Sequence, residues 1–278
     1  MSAALLYGLV ILSAIAHAVW NAMMKSAGDR TLTMVAIRAA GLLLGLCALP
    51  FVDWPAPESW KWLGLTAMIQ FGYYALLIRS YGEGDMSVVY PLARGIAPVL
   101  TTLLAAILIG ETLDAGQMAA VGLISLGILA LSLGTGAGGA AVGFALATGV
   151  SVAAYSFVAG LGVRTAGTVL GFQAWLEVLN GSVMVAYALL KRRDGIAAYA
   201  QRHGARGLLA GTISVAGFLA FLAAAQELPL GPVVALRETG VIFGAALGTF
   251  VLHEAFGSRR IMASAAVALG IAMLALWR

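Results

Sequence analysis

Apolar residues run through this chain in long blocks, each close to the roughly 20 residues that a bilayer-crossing helix needs. Ten such blocks can be read, at roughly 4–24, 31–52, 60–80, 86–109, 115–134, 140–162, 168–190, 207–226, 230–252 and 259–277. The polar connections between them are short, apart from Lys191 to Arg206. The pattern predicts an all-α polytopic membrane protein of ten transmembrane helices, with no connection long enough for a soluble domain.

The blocks also repeat. An ungapped shift of 143 positions places Arg94 on Arg237, Glu111 on Glu254 and Gly127 on Gly270, and it also places Gly64-Leu65 on Gly207-Leu208. Nearer the start the shift falls to 135, which aligns Gly8 with Gly143. The longer connection at Lys191–Arg206 accounts for the difference. Two five-helix repeats result, residues 1–136 and 137–278, joined at the glycine-rich run that starts at Gly134. An odd number of spans per repeat gives the halves opposite topology. In inverted repeats of this kind, substrate sites lie near the membrane midplane between the halves.

Composition sharpens the class. Of 278 residues, 62% are apolar and only 10% charged, against about 25% charged in soluble domains. The single cysteine, Cys47, excludes an internal disulfide and any multi-cysteine metal site. No cofactor or metal is expected. The net charge of +4 is spread through connections, so neither a nucleic-acid partner nor an obligate protein partner is expected. The first apolar block lacks a basic leader and is expected to remain as a span. Lysine and arginine set the orientation. Ten lie in connections after odd-numbered spans and three on the other side, which predicts odd connections in the cytoplasm and both termini outside.

Within the spans, ionisable groups stand out because each costs at least about 2.5–3.5 kcal/mol near a bilayer centre. Arg94 and Arg237 occupy equivalent places in the two repeats and could clamp an anionic group between the halves. Each could equally pair with an acid, and Arg94 could reach Glu238 across the interface. Glu238 could bind an ammonium group or a coupling proton or ion, or simply neutralise an arginine. Being adjacent on a helix, Arg237 and Glu238 point about 100° apart and need not pair with each other. Glu177 carries the same ambiguity without a repeat partner. His17, Trp20, Asn21 and Met24 share one face of the first helix, and Val152, Tyr155, Ser156 and Ala159 occupy the aligned face of the sixth. That polar and aromatic stripe suits a cavity lining. Gln70, Tyr73 and Tyr74 are similar candidates, although Tyr73 and Tyr74 are not expected to face one cavity squarely together. Tyr90 lies one turn before Arg94. Pro91 and Pro98 can loosen the fourth span. Glu111 and Glu254, at helix ends, suit holding a loop or gating.

Taken together, Tyr90-Pro-Leu-Ala-Arg94-Gly, Gly110-Glu111-Thr-Leu, Ala235-Leu-Arg237-Glu238-Thr, His253-Glu254 and Trp20-Asn21 followed by Lys25 resemble the EamA-like family of the drug/metabolite transporter superfamily. The resemblance covers essentially the whole chain. It implies two five-helix bundles about a central cavity and alternating access for metabolites or drugs, often in export. It also implies cytoplasmic termini with a basic second loop. Here that loop, Asp53 to Lys61, carries two acids and one lysine, and the charge count favours termini outside. No Walker-type phosphate loop, His-Glu-x-x-His or Gly-x-Ser-x-Gly motif occurs, so neither ATP hydrolysis nor enzymatic chemistry is indicated. The expected function is secondary transport of a small metabolite bearing an anionic or zwitterionic group across a cell membrane, with membrane lipid as surroundings and the bacterial inner membrane as the expected location. A lipid flippase is the alternative, and an integral membrane enzyme is a weaker one.

Overall fold

The computed structural model describes residues 2–83, 86–130, 138–243 and 258–276. The described residues are helical throughout, with short turns and no strand. In chain order the helices are α1 (Ala3–Lys25), α2 (Arg30–Ala48), α3 (Trp60–Glu83), α4 (Met86–Gly95), α5 (Ala97–Ile109), α6 (Ala115–Ala130), α7 (Gly139–Thr165), α8 (Val169–Lys191), α9 (Arg193–Glu227), α10 (Leu230–Glu238) and α11 (Ser258–Leu276). Six stretches among the described residues are long and apolar enough to cross a membrane. They are α1, α2, residues 90–109, α7, α8 and α9. This is a multi-pass integral membrane protein. The sequence pattern predicts ten spans, and the shortfall has local causes. α3 has the length but carries Lys61, Gln70 and Arg79. α6 has only 16 residues, the apolar stretch of α11 is only Ala265–Leu274, and the second half of span nine lies beyond the described residues.

Helix ends follow local chemistry. Asp29 and Thr168 cap α2 and α8 by accepting the Leu32 and Gly171 amides, as side-chain oxygens do at N-caps. Gly110 ends α5 at φ 67°, a left-handed conformation that glycine adopts without a Cβ penalty. The fourth span is not one helix. It breaks at Ile96, and Pro98 sits in the first turn of α5, where its missing N–H costs nothing. α10 ends at Glu238, and helical backbone resumes at 240–243 after Thr239. Thus Ile96 and Thr239, 143 positions apart, both mark a broken helix.

One expectation is corrected. The stretch 193–206 is not a loop but the first part of the 35-residue α9. It holds no proline and several alanines, so nothing in it terminates a helix; Gly195 and Gly204 weaken a helix without ending it. At about 1.5 Å per residue, α9 is about 52 Å long and overshoots a hydrocarbon core of about 30 Å. Its start is tied down. Tyr199 and Thr33 share a 2.6 Å hydroxyl hydrogen bond, Arg192 pairs with Asp29, and Arg206 donates to Ser26 Oγ.

Packing between the halves is extensive. α1 packs on α9, α3 on α7, α2 on α8, and α6 on α11. Small residues permit these approaches, as they do between helices in lipid. Gly41 and Gly45 on α2 form a Gly-x-x-x-Gly face against α8. A Cβ at Gly45 would lie 2.7 Å from the Ala174 carbonyl oxygen, and one at Gly181 would lie 2.6 Å from that of Arg38. The α6–α11 contact is reciprocal. Gly127 sits against Val267 and Ala263, and Gly270 against Ile124 and Ala120.

Candidate functional site

Arg94 lies in the last turn of α4 and Arg237 in the last turn of α10. Both side chains turn into the protein and meet one carboxylate. Glu238 Oε2 accepts from Arg94 Nη1 at 2.7 Å, while Oε1 accepts from Arg237 Nε at 3.1 Å and Nη2 at 3.0 Å. Arg237 and Glu238 therefore do pair despite being neighbours. α10 ends at Glu238, and the two long side chains curl toward each other past the last turn. Arg237 also donates to Tyr155 Oη at 3.1 Å and Ser156 Oγ at 3.0 Å, and its guanidinium lies 4.3 Å from the Phe221 ring centroid.

Arg94 is held on its other side by Tyr73 Oη at 3.4 Å and by His17 Nε2, and it lies over the Tyr90 ring at 5.1 Å. A guanidinium has only donors, so His17 Nε2 must accept. The imidazole is then neutral, with its proton on Nδ1. The Trp20 ring meets His17 edge-on, with centroids 4.9 Å apart. Asn21 donates to the His17 carbonyl at 2.8 Å and accepts from Tyr81 Oη at 3.1 Å.

A second charged group bridges α2 and α8. Arg38 Nη1 lies 3.3 Å from Glu177 Oε2 and 3.3 Å from Tyr74 Oη, and Nη2 donates to Ser214 Oγ at 2.6 Å. Gln173 donates to Glu177 Oε1 at 2.8 Å. The Glu177 carboxylate fits against Gly41, where a Cβ would come within 2.2 Å of Oε2. Between the two charged groups lies a cavity of about 30 Å³. Its polar and charged border includes Arg38, Glu177, Arg237, His17 and Gln70, and its aromatic border includes Trp20, Tyr73, Tyr74, Tyr155 and Phe218.

At one end of the molecule Arg164 joins several helix ends. Its Nε donates to the Ala225 carbonyl at 2.9 Å and its Nη2 to that of Leu228 at 2.6 Å. Glu111 Oε1 accepts the Leu230 amide at 3.0 Å and lies 3.5 Å from Arg164 Nη2. Glu111 thus holds the α9–α10 turn. Its repeat counterpart Glu254, with His253, lies outside the described residues.

Residues 4–133 match the EamA-like transporter family. That match spans just under half of the chain. That family is part of the drug/metabolite transporter superfamily, and its members are transporters rather than enzymes. No curated protein matches the chain. One crystal structure of a protein resembles it over 99% of this chain and 96% of that one, with a TM-score of 0.74 at 17% identity. At that identity the likeness shows a shared fold alone.

Of the residues that the sequence singles out, His17, Trp20, Tyr74 and Arg237 border the cavity. Tyr90, Asn21, Arg94 and Glu238 are buried behind its border. Tyr73 and Tyr74 both reach the cavity, contrary to expectation. Their rings are splayed by 60° with centroids 5.5 Å apart, which lets the two edges reach one space. Arg38 was missed as a site residue. An arginine inside a predicted span is a signal in itself, but its relation to Glu177 appears only when the caps Asp29 and Thr168 are aligned. That requires a shift of 139, between the two shifts legible in the repeat.

Proposed function

We propose that the chain is a secondary active transporter that exports a small metabolite bearing an anionic or zwitterionic group. It works by alternating access around the cavity between two inverted five-helix repeats, residues 1–136 and 137–278. The observation that carries this reading is the cavity itself. Arg38 from the first repeat and Glu177 and Arg237 from the second border one space beside two broken helices. Exchange-related packing supports the repeat: α1 on α9 is matched by α7 on α3, and α6 meets α11 reciprocally. Interfaces related by a twofold have this self-complementary form.

The cavity holds about 30 Å³, whereas small-molecule sites measure roughly 300–1,000 Å³. On this reading the cavity is the contracted form of the site, and solute entry requires the helices around Ile96 and Thr239 to part. The Arg164–Glu111 group closes one end of this path. The polar, charged border suits a small solute better than a lipid chain. The bacterial inner membrane is the proposed location, with both termini outside on the count of basic residues.

Everted vesicles carrying the protein are expected to take up labelled anionic or zwitterionic metabolites above vesicles that lack it. Arg237→Ala is expected to lower that uptake to background while the protein remains in the membrane. Uptake by Arg237→Ala equal to that of the unaltered protein would contradict the reading.

A further inference from the structure

Among the described residues, the charged side chains that are fully buried are Arg38, Arg94, Arg237, Glu177 and Glu238. Three cations face two anions. The two acids are each engaged by arginine, and one of them, Glu238, is shared by two arginines through separate oxygens. His17 accepts from Arg94 and so adds no charge. Protonating either carboxylate would only enlarge the positive excess. Helix dipoles do not remove it, because α4 ends at Gly95 and α5 begins at Ala97, so opposite helix ends cancel at the break. Among the described residues the interior thus carries one uncompensated positive charge, and burying an unpaired charge is costly.

Resting on the proposed transport function, we infer that the solute is a net monoanion rather than a zwitterion or a cation. A zwitterion brings no net charge and leaves the excess in place, while a monoanion brings the interior to neutrality. The position of the excess agrees with this. Arg237 borders the cavity and has only one oxygen of a shared carboxylate as its anionic partner, whereas Arg38 faces Glu177. An anionic group entering the cavity meets Arg237 first as the under-neutralised cation. The ring edges of Trp20, Tyr73, Tyr74, Tyr155 and Phe218 supply an apolar and π-rich wall for the body that carries the charge. The inferred class is a monocarboxylate, or an equivalent single anion, with a planar unsaturated body.

The test uses three probes of matched body and different charge on the full-length protein in detergent: 3-phenylpropionate, phenylalanine and 2-phenylethylamine. Thermal unfolding is followed as each probe is titrated, since a ligand that binds only the folded state raises the midpoint. The expected result is a rise with 3-phenylpropionate, clearly smaller rises with the other two, and loss of this preference in Arg38→Gln, where the buried charges balance. Should Arg38→Gln fail to fold, the conservative Arg38→Lys variant, which keeps the charge, is expected to keep the preference. A phenylalanine or 2-phenylethylamine shift equal to or larger than that of 3-phenylpropionate, or no shift with 3-phenylpropionate, overturns the inference. Vesicle uptake that depends on Arg237 would still stand in that case, so failure of the charge class is distinguishable from failure of the transport reading.

Discussion

Glu238→Ala is expected to destabilise the protein more than truncating either arginine that it binds. Its carboxylate accepts from Arg94 through one oxygen and from Arg237 through the other. Without it two buried guanidinium groups face each other with no anion between them. Removing one partner of a single buried ion pair costs about 3–5 kcal/mol, and here two cations are stranded. Arg94→Ala differs in kind. It leaves Glu238 paired with Arg237, and the interior loses its positive excess. The expected cost is then closer to about 1.5–3 kcal/mol, the range of hydrogen bonds to charged groups. Thermal or denaturant unfolding of the purified variants in one detergent checks the order. A Glu238→Ala variant as stable as Arg94→Ala would show that the carboxylate does not hold the two cations together.

The second large effect is expected at the α2–α8 contact. Arg38→Ala leaves Glu177 buried against Gly41 with Gln173 as its remaining donor, and a loss of about 3–5 kcal/mol is expected. Replacing both members with apolar residues of similar volume, Arg38→Met with Glu177→Leu, removes the charges together and is expected to restore most of that stability. The same double variant is expected to lose transport, because both side chains border the cavity. Unfolding and vesicle uptake measured on the two variants separate the roles. A double variant that transports normally would make the pair a packing feature only.

Much of this arrangement is legible in the amino-acid order, and the parts that are not have physical reasons. The apolar blocks locate most of the described helices within a few residues, α9 excepted, because apolar runs of membrane-crossing length are a strong signal. The recurrence of Arg94 at Arg237 singles out two residues that the structure brings to one carboxylate, since the cost of a buried charge makes such positions conspicuous. The break after Gly95 is foreshadowed by Pro91 and Pro98, whereas the break after Glu238 has its prolines, Pro229 and Pro232, at the start of the segment. Position along a helix does not reveal which buried polar groups border a space and which stand behind it. Arg94 and Arg237 are equivalent in the repeat, yet only Arg237 borders the cavity, because Glu238 has no acidic counterpart at Gly95. The acid is present in one repeat and absent from the other, and the asymmetry of the charges follows from it. The α9 extension is not legible because basic, polar residues suggest a loop, while backbone propensity across 193–206 favours continuing the helix.

In the proposed mechanism, one cavity between the two halves is reached from each side of the membrane in turn. Single cysteines at Ser13 on α1 and Phe218 on α9, both bordering the cavity, test it in a Cys47→Ser background, which removes the chain's single native thiol. A membrane-impermeant maleimide is applied to right-side-out vesicles and, separately, to everted ones. Both positions are expected to be labelled in both preparations. Labelling from one side alone, or from neither, would contradict it.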